Sequence, residues 1–350
     1  MKQLKAHWWK FLGVAILVIV FLKGMLVPLS AGIISVSRNS AKPLENLQLV
    51  VKGYNTHFKD SKGPQAWLKL DSLYSIQCSS FIVADQTTAT VAFWIPAGLP
   101  YEGTRAPLTL IIDNEVDGTS VLPFAVSFVV NDIASTGQGW NVEALEGLHE
   151  RTHTTYPFRN ILNETIRNTY FHVPLWFGMM VLFIASVISA IKYIRSKDPH
   201  DDLKSLAFCR AGILFGILGL VTGAIWAKHT WGAYWSWDVK QNMSAIALLI
   251  YGAYFVLRNS MSDNDSQARI AAVYNIFAFV TLIPLLFVIP RLTDSLHPGN
   301  GGNPALGGED LDHSMRMVFY PAIIGWTLLG VWIAQLSYRV DRLKHKLLNH

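Results

Sequence analysis

Two histidines and one run of aromatic residues carry the types and spacing that could do chemistry. The run is Trp226-Ala227-Lys228-His229-Thr230-Trp231-Gly232-Ala233-Tyr234-Trp235-Ser236-Trp237-Asp238, with four of the chain's twelve tryptophans, a tyrosine and a closing carboxylate. Tryptophan is common at membrane interfaces because its ring is apolar while its N–H wants a polar partner. An ordinary interfacial belt needs one or two per helix end. Four in one short connection suggest a flat aromatic platform for a large planar ligand, with an unusually rich belt as the bland alternative. His172 and His297 lie on two other connections. Alone, either would be read as an interfacial hydrogen-bonding residue. Together with an aromatic sheet, two imidazoles can close on the two faces of one metalloporphyrin, since neutral imidazole suits iron and histidine is a common axial ligand of haem. Trp226, Trp231, Trp235 and Trp237, with Tyr234, would cover the macrocycle. Arg167, Lys228, Arg291 and Arg316 are candidates to pair with its propionates, although snorkelling anchors describe each equally well. Asp238 is expected first as the cap of the helix that follows it.

The elements that must position these residues are apolar segments. The chain has 350 residues, and an apolar fraction of 51% does not settle its class, but the distribution does. Apolar runs at residues 11–29, 173–191, 211–227, 241–257, 270–290 and 317–338 give six candidate spans near the ~20 residues that cross a bilayer. The net charge of +5 follows topology and does not require an anionic or nucleic-acid partner. Lys2, Lys5 and Lys10 precede the first run; Lys192, Arg195, Lys197, Lys204 and Arg210 fill the second-to-third connection; Arg258 and Arg269 flank the fourth-to-fifth; Arg339, Arg342, Lys344 and Lys346 follow the last. With the even connections basic, the positive-inside rule expects both termini in the cytoplasm. Proline at the first turn of a helix is well placed, so Val173-Pro174 sets His172 at a helix start on the outer boundary. The fifth run ends at Pro290, so His297 is also expected outside, within a turn or so of the membrane, ahead of a glycine-rich loop at 299–308. The first run lacks a convincing cleavage site and reads as a retained anchor.

Between the first two runs, residues 42–132 are rich in β-branched residues and cut by turn signals. Strands are expected at 47–51, 66–70, 75–83, 88–95, 108–113 and 123–131. Two of them alternate: Ala89, Val91, Phe93 and Ile95 on one face, and Phe124, Val126, Phe128 and Val130 on another. The expected fold is therefore an all-α polytopic membrane protein of six transmembrane helices, with a β-sandwich-like extracytoplasmic domain inserted between helices one and two. Its expected parts are an anchor at 1–31, the β-rich domain at 42–132, a linker and re-entry segment at 133–171, a five-helix membrane domain at 172–338 and a basic tail at 339–350. Gly137 to Gly139 read as linker, and Glu143, Glu146 and Glu150 as a solvated helix face. Cys78 and Cys209 fall on opposite sides of the membrane and are assigned no pairing or metal role.

Trp231, Gly232, Trp235, Trp237 and Asp238 resemble the Trp-Gly-x-x-Trp-x-Trp-Asp signature of the membrane proteins that handle haem in cytochrome c biogenesis. Tyr170-Phe171-His172-Val173-Pro174 is similar to that family's first external histidine motif. Leu296-His297-Pro298-Gly299 is similar to the second, with Pro298 where glutamine is common. Six spans, one signature and two external histidines resemble the haem exporter protein C (CcmC) branch best; the β-rich insertion is the departure from it. The resemblance covers the first span and residues 167 to the end. It implies a bacterial cytoplasmic-membrane protein with a transient b-type haem on its outer face. His172 and His297 would be axial ligands, and Trp231, Gly232, Trp235, Trp237 and Asp238 part of the platform. It also implies delivery to a CcmE-like haem chaperone, alongside CcmA- and CcmB-like transporter subunits and a small CcmD-like membrane partner. No nucleophile–base pair, phosphate loop or Cys/His cluster points to an enzyme. Two other readings remain open from the residues: a redox protein whose bis-histidine haem exchanges electrons with quinone, and a membrane-anchored receptor or scaffold working through its β domain.

Overall fold

A computed structural model describes residues 2–99, 101–130, 137, 139–141, 145–151, 153–160, 162–297 and 311–348, with the side chains of 2–6, 264 and 348 outside that description. Glu143, residues 133–136 at the start of the expected linker, Pro298 and the glycine-rich 299–308 loop lie outside the described residues. The chain divides into two compact units, one of residues 28–163 and one of residues 1–27 with 164–350.

The first unit is built from nine strands: β1 (Gly32–Val36), β2 (Ser40–Ala41), β3 (Asn46–Tyr54), β4 (Gln65–Lys69), β5 (Ser75–Gln77), β6 (Ser80–Val83), β7 (Thr88–Trp94), β8 (Arg105–Asn114) and β9 (Gly118–Val129). They form a four-stranded sheet in the order β1-β3-β7-β6 and a five-stranded sheet in the order β2-β9-β8-β4-β5. Period-two alternation decides which side chains go inward. Leu47, Leu49 and Val51 of β3 and Ala89, Val91 and Phe93 of β7 meet Ala66, Leu68, Leu108, Leu110, Val126 and Phe128 of the other sheet in one apolar core. The alternation expected over 124–130 breaks at its first member. The β8–β9 pairing shifts register between Leu108 and Leu110. Across from that irregularity Phe124 takes a left-handed φ of 54°, and its ring points out, 78% exposed.

The second unit is helical: α1 (Lys2–Leu26), α2 (His172–Ser196), α3 (Pro199–Trp231), α4 (Val239–Asn259), α5 (Asn264–Ile283), the short α6 (Ile289–Leu292) and α7 (His313–Leu348). A π-helical turn, Pro284–Val288, joins α5 to α6.

Two expectations are corrected here. The chain is not all-α, because its described residues include nine strands in two sheets. Nor are there six helices suited to a bilayer: among the described residues five are long and apolar enough to cross one. Residues 241–257, expected as the fourth span, do fold as most of α4, but this helix is not among the five. Lys240, Gln241, Asn242 and Ser244 fill its first turns, and Tyr251 and Tyr254 dilute the apolar remainder. The five-span set nonetheless makes this a multi-pass membrane protein.

Glycines set how closely α2 and α3 pack. A Cβ added to Gly212 would meet the Phe183 ring at 2.6 Å, one at Gly216 the Met179 sulfur at 3.0 Å, one at Gly219 the Trp176 ring at 2.9 Å and one at Gly223 the His172 ring at 2.7 Å. Large residues at 172, 176, 179 and 183 form one face of α2, at the i, i+4, i+7, i+11 spacing of a helical stripe. Each rests on a bare stretch of α3 backbone, the small-residue packing that membrane helices use. At the other end of the bundle, Arg258 of α4 donates to Asp202 of α3 at 2.8 Å in a buried ion pair. Asn275 of α5 donates to Ser186 of α2 at 2.8 Å and to Ser205 of α3 at 3.1 Å. The bundle is thus bolted at one end and ruled by close glycine contacts toward the other.

Candidate functional site

His172 is the first residue of α2, with Pro174 in the opening turn. Its ring lies against Gly223 and edge-on to Trp176, with centroids 6.3 Å apart. The Thr222 hydroxyl gives its own proton to the Leu218 carbonyl at 2.8 Å. Its lone pairs therefore accept from His172 Nδ1–H at 3.1 Å. That bond puts the proton on Nδ1 and leaves the lone pair on Nε2.

The aromatic run begins inside α3, which ends at Gly232 in a left-handed conformation with φ 85°. Such an ending suits glycine because no Cβ opposes the turn. Lys228 reaches back to donate to the Gly232 carbonyl at 2.9 Å and lies over the Tyr234 ring at 5.7 Å. The chain then crosses to α4 through a loop held by Gln241, whose Oε1 accepts from the Ser236 N–H at 3.0 Å and hydroxyl at 3.1 Å. Asp238 caps α4, accepting from the Lys240 N–H at 2.9 Å.

The same carboxylate gathers the His297 segment. Asp238 accepts from the Leu296 N–H at 2.7 Å, the Ser295 hydroxyl at 3.1 Å and His297 Nδ1 at 2.8 Å. A carboxylate only accepts, so the proton sits on Nδ1 and Nε2 keeps its lone pair, as in His172. Burial pushes the Asp238 carboxyl up, but the bonds from Leu296 and Ser295, the His297 ring and the Lys240 N–H together outweigh it and hold the carboxyl below its ordinary range. Burial pushes His297 below the ordinary 6.5, and the Asp238 carboxylate opposes that shift without reversing it. The neutral imidazole is the form present at neutral pH. Trp231 meets the His297 ring edge-on at 4.7 Å and Trp226 lies tilted to it at 5.9 Å.

His172 and His297 line one cavity of about 240 Å³. Trp176, Trp235, Lys240 and Gln241 share it, and Leu286 and Phe287 of the π-helical turn close part of its wall. Pro284 and Pro290, which lack N–H groups, frame that turn, and π-helical turns recur at functional sites. The expected residues are thus divided. Trp235 lines the cavity, whereas Trp226 and Trp231 pack against His297 and do not line it. Trp237, left-handed with φ 59°, is 78% exposed and Tyr234 is 59% exposed. The aromatic run is therefore a buttress for one imidazole with an exposed outer edge, not a continuous flat sheet.

None of the four expected propionate partners lines the cavity. Arg167 donates to the Gly24 and Val27 carbonyls at the end of α1, at 2.8 Å and 2.7 Å. Lys228 caps α3. Arg291 is exposed on α6, and Arg316 sits in the first turns of α7 with its Nε buried. Sequence reasoning missed Lys240, which lines the cavity beside His297, as well as Thr222, Gly219, Gly223 and Gln241. The glycine pairs four residues apart in α3 were a readable signal of close helix packing; the part played by Lys240 was not, because its distance from His297 depends on the 290–297 return.

A family model described as "Heme exporter protein C" matches residues 154–349, more than half of the chain. Proteins of that name from Haemophilus influenzae, Bradyrhizobium diazoefficiens and Escherichia coli are similar to it. The first is 27% identical over 180 residues, covering 51% of this chain and 72% of the relative. The second is 28% identical over 187 residues, covering 52% and 68%. The third is 24% identical over 173 residues, covering 49% and 69%.

Proposed function

This chain belongs to the heme exporter protein C family, and from that membership we propose that it holds haem for cytochrome c biogenesis between His172 and His297 and passes it on. The observation that carries the reading is the matched state of the two imidazoles. Each has Nδ1 committed, one to Thr222 and one to Asp238, and both rings line the same cavity. Two neutral rings with free Nε2 lone pairs are a donor set suited to haem iron. Holding each ring by its far nitrogen orients it and raises its basicity. Haem supplies the iron and the planar macrocycle. The protein's own residues orient the imidazoles, exclude water with Trp176, Trp226, Trp231 and Trp235, and pair a propionate with Lys240.

The cavity volume supports transfer over permanent retention. At about 240 Å³ it falls below the ~300–1,000 Å³ usual for enclosing a drug-sized ligand. A macrocycle gripped here keeps one edge outside, where Trp237 and Tyr234 are exposed. That edge is where a CcmE-like chaperone takes delivery. The remaining partners are CcmA- and CcmB-like transporter subunits and a CcmD-like membrane protein. The bound species is a transient b-type haem, and the role is that of an assembly factor. Basic residues crowd the end of α2 and the start of α3, opposite to His172 and Gly223. The positive-inside rule therefore assigns the site to the outer face of the bacterial cytoplasmic membrane.

The test is a visible spectrum of the protein purified from haem-replete cells. A Soret band that weakens in His172→Ala and in His297→Ala, with matching loss of co-purified haem chaperone, is the expected result. A colourless protein, or a band indifferent to both substitutions, overturns the reading.

A further inference from the structure

Four separate stretches of the β-rich unit meet around a cavity of about 380 Å³ that takes no part in the proposed haem site. They are the entry to β1, the turn after β3, the β8–β9 turn and residues 151–155. Only Pro28, Ala31 and Val116 of its ten lining residues are apolar, and none is Phe, Tyr or Trp. Such a lining suits a polar ligand that can satisfy the groups around it.

Those groups are held in place with hydrogen-bonding capacity to spare. Asp117 is already engaged: its carboxylate accepts from the His57 N–H and His57 Nδ1, each at 2.8 Å, and from Asn114 Nδ2 at 3.1 Å. Its side chain is 3% exposed, while His57 is about half exposed. The imidazole is thereby fixed by Nδ1, and Nε2 is left for the cavity it lines. Arg151 lies against Gly118, where φ is 70° and an added Cβ would meet the arginine chain at 3.0 Å. Its guanidinium donates to the Thr119 carbonyl at 3.3 Å, which engages one of its five donors. Ser30 lines the same cavity and is 1% exposed. Its Oγ accepts the Phe158 N–H at 3.0 Å, and among the described residues its own proton has no acceptor. A buried hydroxyl proton without an acceptor costs stability unless an acceptor enters the cavity.

A negatively charged acceptor satisfies Ser30 and Arg151 together, and a guanidinium matches the oxygens of phosphate or carboxylate. The His57 ring discriminates between the two. As a lone pair, Nε2 accepts from P–OH; as N–H, it donates to P–O⁻. A phosphate monoester, with its second pKa at ~6, offers both forms near neutrality, whereas a carboxylate offers only acceptors. The volume lies within the ~300–1,000 Å³ usual for small-molecule sites, more than a bare phosphate fills. Asn55, whose Nδ2 donates to the Leu29 carbonyl at 2.7 Å, retains Oδ1 as an acceptor for a ligand hydroxyl.

We propose that the β-rich unit binds a small phosphate monoester of a polyhydroxy compound in this cavity, with Arg151 and Ser30 as donors and His57 against the phosphate. The site does not rest on the haem reading, because it shares no residue with the cavity of His172 and His297.

The test is calorimetric titration of the full chain in detergent with sn-glycerol 3-phosphate, inorganic phosphate, acetate and glycerol. The expected result is one-to-one binding of glycerol phosphate, weaker binding of inorganic phosphate, and none of acetate or glycerol. Arg151→Gln weakens glycerol phosphate by about 10-fold or more, and Ser30→Ala and His57→Ala by about 2–10-fold each. Arg105→Gln, exposed and outside the cavity, leaves the affinity unchanged, as does the pair His172→Ala with His297→Ala. Ser30→Ala also strips the Phe158 N–H of its acceptor. The exposed Arg151→Gln variant, with unaltered thermal unfolding, therefore shows that the loss is local. No binding of either phosphate, binding indifferent to Arg151→Gln, or acetate bound as tightly as glycerol phosphate overturns the site. Equal weakening by Arg105→Gln marks general charge attraction and overturns it too.

Discussion

Asp238 Oδ1 lies 2.8 Å from His297 Nδ1 and 2.9 Å from the Lys240 N–H, so one carboxylate both starts α4 and orients the imidazole that faces the cavity. The start of a helix favours negative charge, which stabilises the carboxylate that His297 needs. Helix capping and ring positioning are therefore one interaction.

Asp238→Asn separates the two roles. Asparagine is as good a helix cap as aspartate, so α4 is retained. The amide carries no charge and brings a donor toward the Leu296 N–H, so the hold on His297 weakens. Haem titration is expected to show affinity reduced by about 10–100-fold, with far-UV circular dichroism unchanged. Asp238→Ala additionally loses the cap, at a cost of about 1 kcal/mol, read as a lower unfolding temperature.

Gly223 fixes how closely the His172 ring lies to α3. Gly223→Ala places a Cβ 2.7 Å from the ring, so the imidazole must move away from Thr222. Weaker haem binding is expected, with a Soret maximum shifted from the wild-type position. Gly252 of α4 has open space around it. Gly252→Ala is therefore expected to leave haem binding intact and to stabilise the helix by up to about 1 kcal/mol.

Haem retention should depend on pH in a defined direction. His297 in the folded chain binds its proton less readily than the ordinary 6.5. The neutral ligand thus persists below pH 6.5 and is lost as the pH falls through the depressed folded value. In the haem-free protein the unfolded chain takes up this proton first. The stability His297 contributes is therefore complete above 6.5 and declines on acidification toward that folded value. Soret absorbance and thermal unfolding measured between pH 7.5 and about 5 check both signs; retention that fails above 6.5 contradicts them.

Lys240 and Lys228 are both lysines near the aromatic run, yet they should behave differently. Lys240 lines the cavity, so Lys240→Gln is expected to lower haem occupancy and Lys240→Arg to restore it. Lys228 is spent on the Gly232 carbonyl. Lys228→Gln should keep haem and cost about 0.3–1 kcal/mol at the end of α3. Haem content per protein, measured alongside unfolding temperature, separates the two outcomes.

Much of the candidate site was legible one residue at a time. The proline at 174 marked His172 as a helix start, and the aromatic run marked the α3–α4 connection as unusual. The joint role of Asp238 was not legible, since its cap lies two residues ahead while His297 lies fifty-nine away. The four propionate candidates stand close in sequence to the histidines, the aromatic run or the last apolar run. Arg167 and Lys228 instead satisfy carbonyls at helix ends, where a long cation finds orphan acceptors. In the β-rich unit, alternation located β7 because both neighbouring strands hold its register. The same rule failed at Phe124, where three residues of β9 stand opposite one of β8 and the ring turns outward.

Sequence by itself determined the membrane character, the β-rich segment between the first two apolar runs, and the residue types able to hold an iron porphyrin. These follow from local composition and period, which are properties of neighbouring residues. Tertiary structure decided that His172 and His297 share a cavity, that the tryptophans buttress one ring instead of forming a sheet, and that Lys240 is the cation beside it. Those relations come from glycine-set helix spacing and from one buried carboxylate joining distant segments. A close approach across space leaves no period in the sequence, so only the folded chain could supply them.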